Sequence, residues 1–246
     1  MVYYPYMKVS IVIPALNEEK YIGKTLEAVT NLDYPDYEVL VVDNGSTDKT
    51  GEIVRSFPGA QLIQIPERGI TKAREAGRRV ATGEIIAQLD ADSTPPKDWI
   101  TKGTSYFKNP NTVAISGPYL YEGGPWWFKS VAFIVQVIFY PTTNILMRIL
   151  RSGAVLIGSN VFVRASTLEA IGGYDTSIAF YGEDSDTARK VSKLGRVRYI
   201  PRLYIYSSAR RFEKEGILKT FYLYIVNFVS VMAKGAPATE EYENHR

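Results

Sequence analysis

Apolar positions fall into short runs and helical stripes that alternate over the first ninety residues. Val9-Ser10-Ile11-Val12-Ile13 is an almost unbroken apolar run closed by Pro14, the pattern of a strand buried on both faces. Ile22, Leu26 and Val29 follow at spacings of four and three, which predicts an amphipathic helix with Asn17 as N-cap. Val39-Leu40-Val41-Val42 predicts a second strand ending at Asp43. Gly45-Ser46-Thr47 turns the chain into a helix that aligns Ile53, Val54 and Phe57. Leu62 to Ile65 predicts a third strand, Thr71 to Ala81 a helix, and Ile85 to Leu89 a fourth strand ending at Asp90.

Strands separated by helices of this length imply a parallel sheet with right-handed crossovers. Ligands bind such sheets beyond the carboxyl ends of the strands. Pro14, Asp43 and Asp90 all stand at those ends, on one rim.

The second half is more mixed. Strands are predicted near Val113–Ser116, Ile157–Val163 and Arg198–Ile200, and a helix over Asp184–Leu194. Residues 126–150 and 217–233 are strongly apolar. The stretch 130–147 carries no charge and reaches the lower limit of a membrane span, but Gln136, Pro141 and Asn144 interrupt it. The uncharged stretch 220–233 is too short to span. Two readings fit these segments. They are buried core helices, or they lie in a membrane surface and form a lipid groove, with Trp126-Trp127 at the interface.

Composition narrows the chemistry. The 246 residues fit one large α/β domain, read as a nucleotide-binding half (8–110), an acceptor half (111–211) and an apolar C-terminal helix and tail (212–246). The net charge of +3 lacks the basic stripe of a nucleic-acid binder. With no cysteine, thiolate metal sites and cysteine nucleophiles are excluded. The single histidine is His245, which argues against a Ser-His-Asp triad or a histidine-rich zinc site. No signal peptide is expected from Met1-Val2-Tyr3-Tyr4-Pro5, so a cytoplasmic location follows, extending to the cytoplasmic face of the membrane if the apolar segments meet lipid.

Four clusters carry candidate chemistry. The carboxylates of Asp90-Ala91-Asp92 lie at i and i+2, so in extended backbone they point the same way and can address one hard cation. Mg²⁺ or Mn²⁺ suits oxygen ligands and commonly shares its shell with substrate phosphates. Taken alone, the same residues also read as a solvated turn. Asp43-Asn44-Gly45-Ser46-Thr47-Asp48 is a turn that can also present Asp43 to a nucleobase or ribose. Glu183-Asp184-Ser185-Asp186 holds three carboxylates where capping needs one or two, and one of them can serve as a general base. Arg210-Arg211 has the guanidinium geometry that matches phosphate. No G-x-G-x-x-G or Walker sequence follows the early strands, which disfavours dinucleotide dehydrogenases and P-loop enzymes.

In order and spacing these segments resemble the family 2 glycosyltransferases, which have a GT-A fold. The resemblance runs through Ser10-Ile11-Val12-Ile13-Pro14-Ala15-Leu16-Asn17-Glu18, Val41-Val42-Asp43-Asn44-Gly45-Ser46 and Leu89-Asp90-Ala91-Asp92. It continues through Gly158-Ser159-Asn160-Val161-Phe162, Ile171-Gly172-Gly173-Tyr174-Asp175 and Gly182-Glu183-Asp184. It implies an α/β, Rossmann-like, largely parallel central sheet flanked by helices, and inverting transfer from a nucleoside-diphosphate sugar to a saccharide or lipid-linked acceptor. Pro14, Ala15, Leu16 and Glu18 would line the nucleotide pocket, and Asp43 would hold the base. Lys72 or Arg74 would lie near the ribose or diphosphate, and Asp90 and Ala91 near the donor sugar. Asp92 would hold Mg²⁺ or Mn²⁺, Arg210 or Arg211 would face the diphosphate, and Asp184, with Glu183 beside it, would be the base. Two positions depart from the family. Glu75 stands where Asn is common, and Tyr206-Ser207-Ser208-Ala209 lacks a histidine that would contact the metal. A metal-dependent nucleotidyltransferase and a non-catalytic nucleotide-sugar-binding protein are the alternatives.

Overall fold

The structure, a computed structural model, describes residues 6–150 and 153–239. Met1 to Pro5 and His245 lie outside the described residues. The strands are β1 (Val9–Ala15), β2 (Tyr37–Asp43), β3 (Ala60–Gln64), β4 (Ile85–Gln88), β5 (Ser93–Thr94), β6 (Thr112–Ser116), β7 (Tyr119–Glu122), β8 (Val161–Arg164), β9 (Arg196–Tyr199) and β10 (Ile205–Ser208). The helices are α1 (Ile22–Val29), α2 (Thr50–Arg55), α3 (Ile70–Val80), α4 (Trp99–Ser105), α5 (Trp126–Ile134), α6 (Tyr140–Leu150), α7 (Ala165–Ala170), α8 (Glu183–Val191), α9 (Arg210–Glu215) and α10 (Ile217–Lys234). A π turn, Val135–Phe139, joins α5 to α6.

Seven strands form one sheet in the order β3-β2-β1-β4-β8-β6-β9. Only β8 runs against the others, since it pairs antiparallel with both β4 and β6. The fold is GT-A: a mixed, largely parallel sheet with helices on both faces. Alternate residues of the central strands feed two cores. Ile11, Ile13, Val39 and Val41 enter one core, while Val12, Leu40 and Val42 enter the other. Burial on both faces is why these strands read as continuous apolar runs. Pro14 falls inside β1 rather than after it. The Val12 carbonyl accepts from Leu89 N, so the Pro14 nitrogen faces the same side, past the last residue of β4, where a missing N–H costs no ladder bond.

Three short strands make a second sheet, β5-β10-β7, of which the sequence pattern announces only β10, through the strand-like Leu203-Tyr204-Ile205-Tyr206. The expected strand Ile157–Val163 is in fact a turn through Asn160 followed by β8. Asn17 is not an N-cap. It adopts a left-handed backbone with φ of 54°, and its Oδ1 accepts from Thr47 N at 2.9 Å. It therefore laces the loop after β1 to the loop after β2.

The apolar segments are not core helices: only 17% of each apolar window is buried. Trp126–Ile149 and Ile217–Lys234 are long and apolar enough to cross a membrane by length and composition. Carboxamides bond the first segment to the backbone around it and fold the tail back onto the second. Gln136 bonds the backbone of Tyr119, Asn144 that of Val155, and Asn227 that of Ala238 and Thr239.

Candidate active site

The carboxyl rim of the parallel strands is held together by loop-to-loop bonds. Glu18 N donates to Thr50 Oγ1 at 2.7 Å, and Glu19 N to Asp48 Oδ2 at 3.1 Å. Ala15 and Asp43 are register partners at the ends of β1 and β2. Asp43 is buried, with Oδ1 accepting from Ser46 N at 3.0 Å. Pro14 and Ala15 are buried beside it, and Leu16 is half-buried. The Asp90-Ala91-Asp92 turn is pinned where Thr25 Oγ1 donates to the Ala91 carbonyl at 2.8 Å.

Arg210 bridges two parts of this rim. Its Nη2 lies 2.6 Å from Glu18 Oε1 and its Nε 3.0 Å from Asp92 Oδ2. Burial opposes its charge, but Glu18 and Asp92 raise its pKa above the ordinary arginine value. Lys72 stands apart, paired at the surface with Glu67 at 3.1 Å. Arg211 packs 4.0 Å over the Phe180 ring, and its Nε donates to Glu215 at 2.9 Å.

A second centre forms around Arg74, on the buried face of α3 with Thr71 and Gly77. Its guanidinium contacts Glu183, lies 3.2 Å from Asp184 Oδ1 and 3.9 Å from Asp90 Oδ1. Burial works against the charge, and the three carboxylates together hold it on. Of the block Lys72 or Arg74, it is Arg74 that reaches the acidic cluster. A lone cation at spacing three from Thr71 and Gly77 on a buried helical stripe is the signal, because it must find carboxylates.

The acidic run at the start of α8 divides its labour. Asp186 turns to Arg189 at 3.1 Å and Lys190 at 2.6 Å. Glu183 is closed in against Arg74; burial, and then Asp184 beside it, push its carboxyl well above the ordinary range. Asp184 keeps a third of its side chain exposed. Its Oδ2 accepts from Gly158 N at 2.9 Å. A Cβ on Gly158 would lie 2.5 Å from Asp184 Oδ1, so any other residue there would displace the carboxylate. Next in the motif, Asn160 ties three segments. Its Oδ1 accepts from Trp99 Nε1 at 2.9 Å, and its Nδ2 donates to the carbonyls of Leu203 at 2.6 Å and Pro118 at 3.3 Å.

Asp90, Asp92, Glu183, Asp184 and Arg210 all line one cavity of about 790 Å³. One stretch of its wall is apolar, from the π turn and α6 (Phe139, Leu146) and from α10 (Ile225, Val229). Those four residues are also exposed, so the apolar lining continues to the outer surface. Asp43, Glu18 and Lys72 do not line this cavity.

The two departures in sequence have local accounts. Glu75 accepts from Arg78 at 2.7 Å, Arg79 at 2.9 Å and Tyr174 N at 3.1 Å, and so anchors the Gly172-Gly173-Tyr174 loop. Ser207, near where the histidine would stand, lies with its Oγ 3.1 Å from Ser93 Oγ, and both Ser207 and Ser208 line the cavity.

Among the described residues no three Asp, Glu or His side chains converge as a metal cage. Asp92 nevertheless offers a hard oxygen at the cavity wall. That donor set fits Mg²⁺ or Mn²⁺ taking its other ligands from phosphate and water.

The chain belongs to glycosyl transferase family 2, whose model matches residues 10–172. Glycosyltransferase AglE of Haloferax volcanii is 41% identical over 116 residues, covering 44% of this chain and 38% of that protein. Glucosyl-dolichyl phosphate glucuronosyltransferase of the same organism is 26% identical over 190 residues, covering 72% of this chain and 59% of that protein. The chain thus spans less than two thirds of either relative. A mannosyltransferase from Pyrobaculum calidifontis, solved in complex with GDP-Man and Mn²⁺, superposes with a TM-score of 0.72 at 24% identity, over 95% of this chain and 67% of that one.

Proposed function

We propose that this chain transfers a sugar from a nucleoside-diphosphate sugar to a lipid-linked acceptor at a membrane surface, with inversion at the anomeric carbon. The observation that carries the reading is the Asp184 carboxylate. It lines one cavity with Asp90 and Asp92, and the apolar residues Phe139, Leu146, Ile225 and Val229 of that cavity are exposed at the outer surface.

In this mechanism the donor occupies the strand-end rim. Pro14, Ala15, Leu16, Glu18 and Asp43 hold the nucleoside, and Asp90 and Ala91 face its ribose or sugar. Asp92, with the diphosphate oxygens, would hold Mg²⁺ or Mn²⁺; the cation supplies charge neutralisation as the diphosphate leaves. Arg210 sits within reach of the same charge and adds to it. Asp184 accepts the proton of the acceptor hydroxyl. The acceptor oxygen bonds to the anomeric carbon as the bond from that carbon to the diphosphate oxygen breaks, and the nucleoside diphosphate departs from the opposite face. Gly158 N–H and Arg74 keep the carboxylate aimed while it waits for substrate.

The lipid part of the reading rests on the two apolar helices. Trp126, Ile138, Ile145 and Ile149 on one, and Leu218 and Tyr222 on the other, are exposed. Lys129, Arg148, Lys219 and Lys234 flank them, a charge pattern that suits the headgroups of anionic lipids at the cytoplasmic face. The family match favours glycosyl transfer over nucleotidyl transfer, and the pairing of Asp92 with Asp184 in one cavity favours an enzyme over a sensor.

A thermal-shift screen of UDP-, GDP- and dTDP-sugars, with and without Mn²⁺, tests the donor half. One donor should raise the melting temperature, more so with Mn²⁺. A flat response to all three would remove the donor reading. Co-sedimentation with anionic liposomes at low salt tests the acceptor half, and a protein left wholly in the supernatant would count against it.

A further inference from the structure

Gln136 interrupts the apolar stretch, and the structure explains why. It is buried in the π turn between α5 and α6. Such turns insert one extra residue into a helix and recur at functional sites. Its carboxamide satisfies both backbone groups of Tyr119: Oε1 accepts from Tyr119 N at 2.7 Å, and Nε2 donates to the Tyr119 carbonyl at 3.1 Å. Because β7 is the edge of its sheet, this side chain supplies what a neighbouring strand would.

The connection continues inward. The Tyr119 hydroxyl accepts from Ser159 N at 2.8 Å and bonds Ser159 Oγ at 2.8 Å. Ser159 follows Gly158, whose N–H donates to Asp184 at 2.9 Å. An unbroken series of bonds thus runs from an apolar helix to the carboxylate in the cavity. The starting helix is exposed on its outer side, at Ile134 and Ile138. Gln136, Tyr119 and Ser159 line the same cavity as Asp184, and each is bonded so as to orient the next.

We propose that Gln136, Tyr119 and Ser159 are positioning residues that set the Asp184 carboxylate according to how the α5–α6 helix is seated. The base is aligned when that helix is held in place and loosens when it is not. The catalytic consequence rests on Asp184 being the base; the mechanical link does not.

The test uses the whole chain with Gln136→Leu, Tyr119→Phe and the double variant. Amide exchange at Gly158, whose N–H bonds Asp184 and neither altered side chain, is followed by mass spectrometry without ligand. Turnover is followed with whichever of the UDP-, GDP- and dTDP-sugars stabilises the protein, as release of nucleoside diphosphate. We expect Gly158 to exchange about tenfold faster in each single variant, with β1 to β4 unchanged. Turnover should fall about tenfold at unchanged donor KM, and the double variant should be no worse than the poorer single one, as members of one network behave. If Gln136→Leu does not fold, Tyr119→Phe carries the test alone through Gly158 exchange and turnover. Unchanged Gly158 exchange in a folded variant overturns the proposal, as does unchanged turnover or strict additivity. An active Asp184→Asn protein would instead sink the reading of the base, and Gly158 exchange would still judge the link.

Discussion

The strand-end rim and the Asp184 cavity, the proposed donor and acceptor sites, are built in opposite ways. The rim is the product of topology: three parallel neighbours, β2, β1 and β4, end side by side, and backbone–side-chain bonds between adjacent loops finish it. The cavity is the product of long-range side-chain contacts. Arg74 on α3 meets Glu183 and Asp184 over a hundred residues later, and Asn160 joins α4 to the turns before β7 and β10. The difference implies that the rim survives single substitutions which dismantle the cavity.

The largest effect should come from Arg74→Leu. It leaves the acidic groups of Glu183, Asp184 and Asp90 without their shared cation, and chemical denaturation should report a loss of about 3–5 kcal/mol, the usual result of breaking a buried ion pair. Lys72→Leu, beside it on the same helix but paired at the surface, should change stability by less than about 1 kcal/mol. Equal losses would erase the contrast between surface and cavity.

Gly158→Ala should come next. Its Cβ must displace Asp184, and a misplacement of about 1 Å can cost roughly 10²-fold in turnover. Donor affinity, measured by calorimetry, should stay within about twofold if the rim is independent of the cavity, because less than about 0.4 kcal/mol of binding is then at stake. A parallel loss of both would join the two regions into one.

Ile138→Glu acts on the exposed face of the apolar helix alone. Liposome affinity should fall about tenfold, equivalent to roughly 1.4 kcal/mol, with no change in melting temperature. A drop in melting temperature instead would return this helix to the core.

The smallest effect concerns pH. Because burial raises the Glu183 carboxyl above its unfolded value, the folded chain keeps a proton that the unfolded chain has already released. Stability therefore falls as pH rises from the ordinary glutamate range toward the raised value. Glu183→Gln should flatten that slope in a series of thermal melts, and an unchanged slope would place its origin elsewhere.

The same contrast explains what could be read from the sequence. β1 to β4 were legible because burial on both faces writes an apolar run into local sequence, and the strand ends then located Asp43, Asp90 and Asp92. Of the second sheet only β10 was, through the strand-like Leu203-Tyr204-Ile205-Tyr206, since Ser93–Thr94 and Tyr119–Glu122 are too short to show a period. Ile157–Asn160 looked like strand because its apolar start precedes β8 directly, yet its bonds go to Asp184, Tyr119, Trp99 and Leu203. The cluster Glu183-Asp184-Ser185-Asp186 was visible as an excess of charge. Which carboxylate faces the cavity depends on Arg74 and Gly158, partners that no local pattern names. Gln136 and Asn144 read only as breaks in an apolar stretch, although both are the pins that hold it.

Asp184 is the proposed base, the open carboxylate that would meet the acceptor. Asp184→Asn keeps the shape of the site and removes that proposed base. Single-turnover transfer with the stabilising donor should fall by about 10²–10⁴-fold, the usual contribution of a positioned base, while calorimetric donor affinity stays at the wild-type value. Transfer at the wild-type rate would contradict the account.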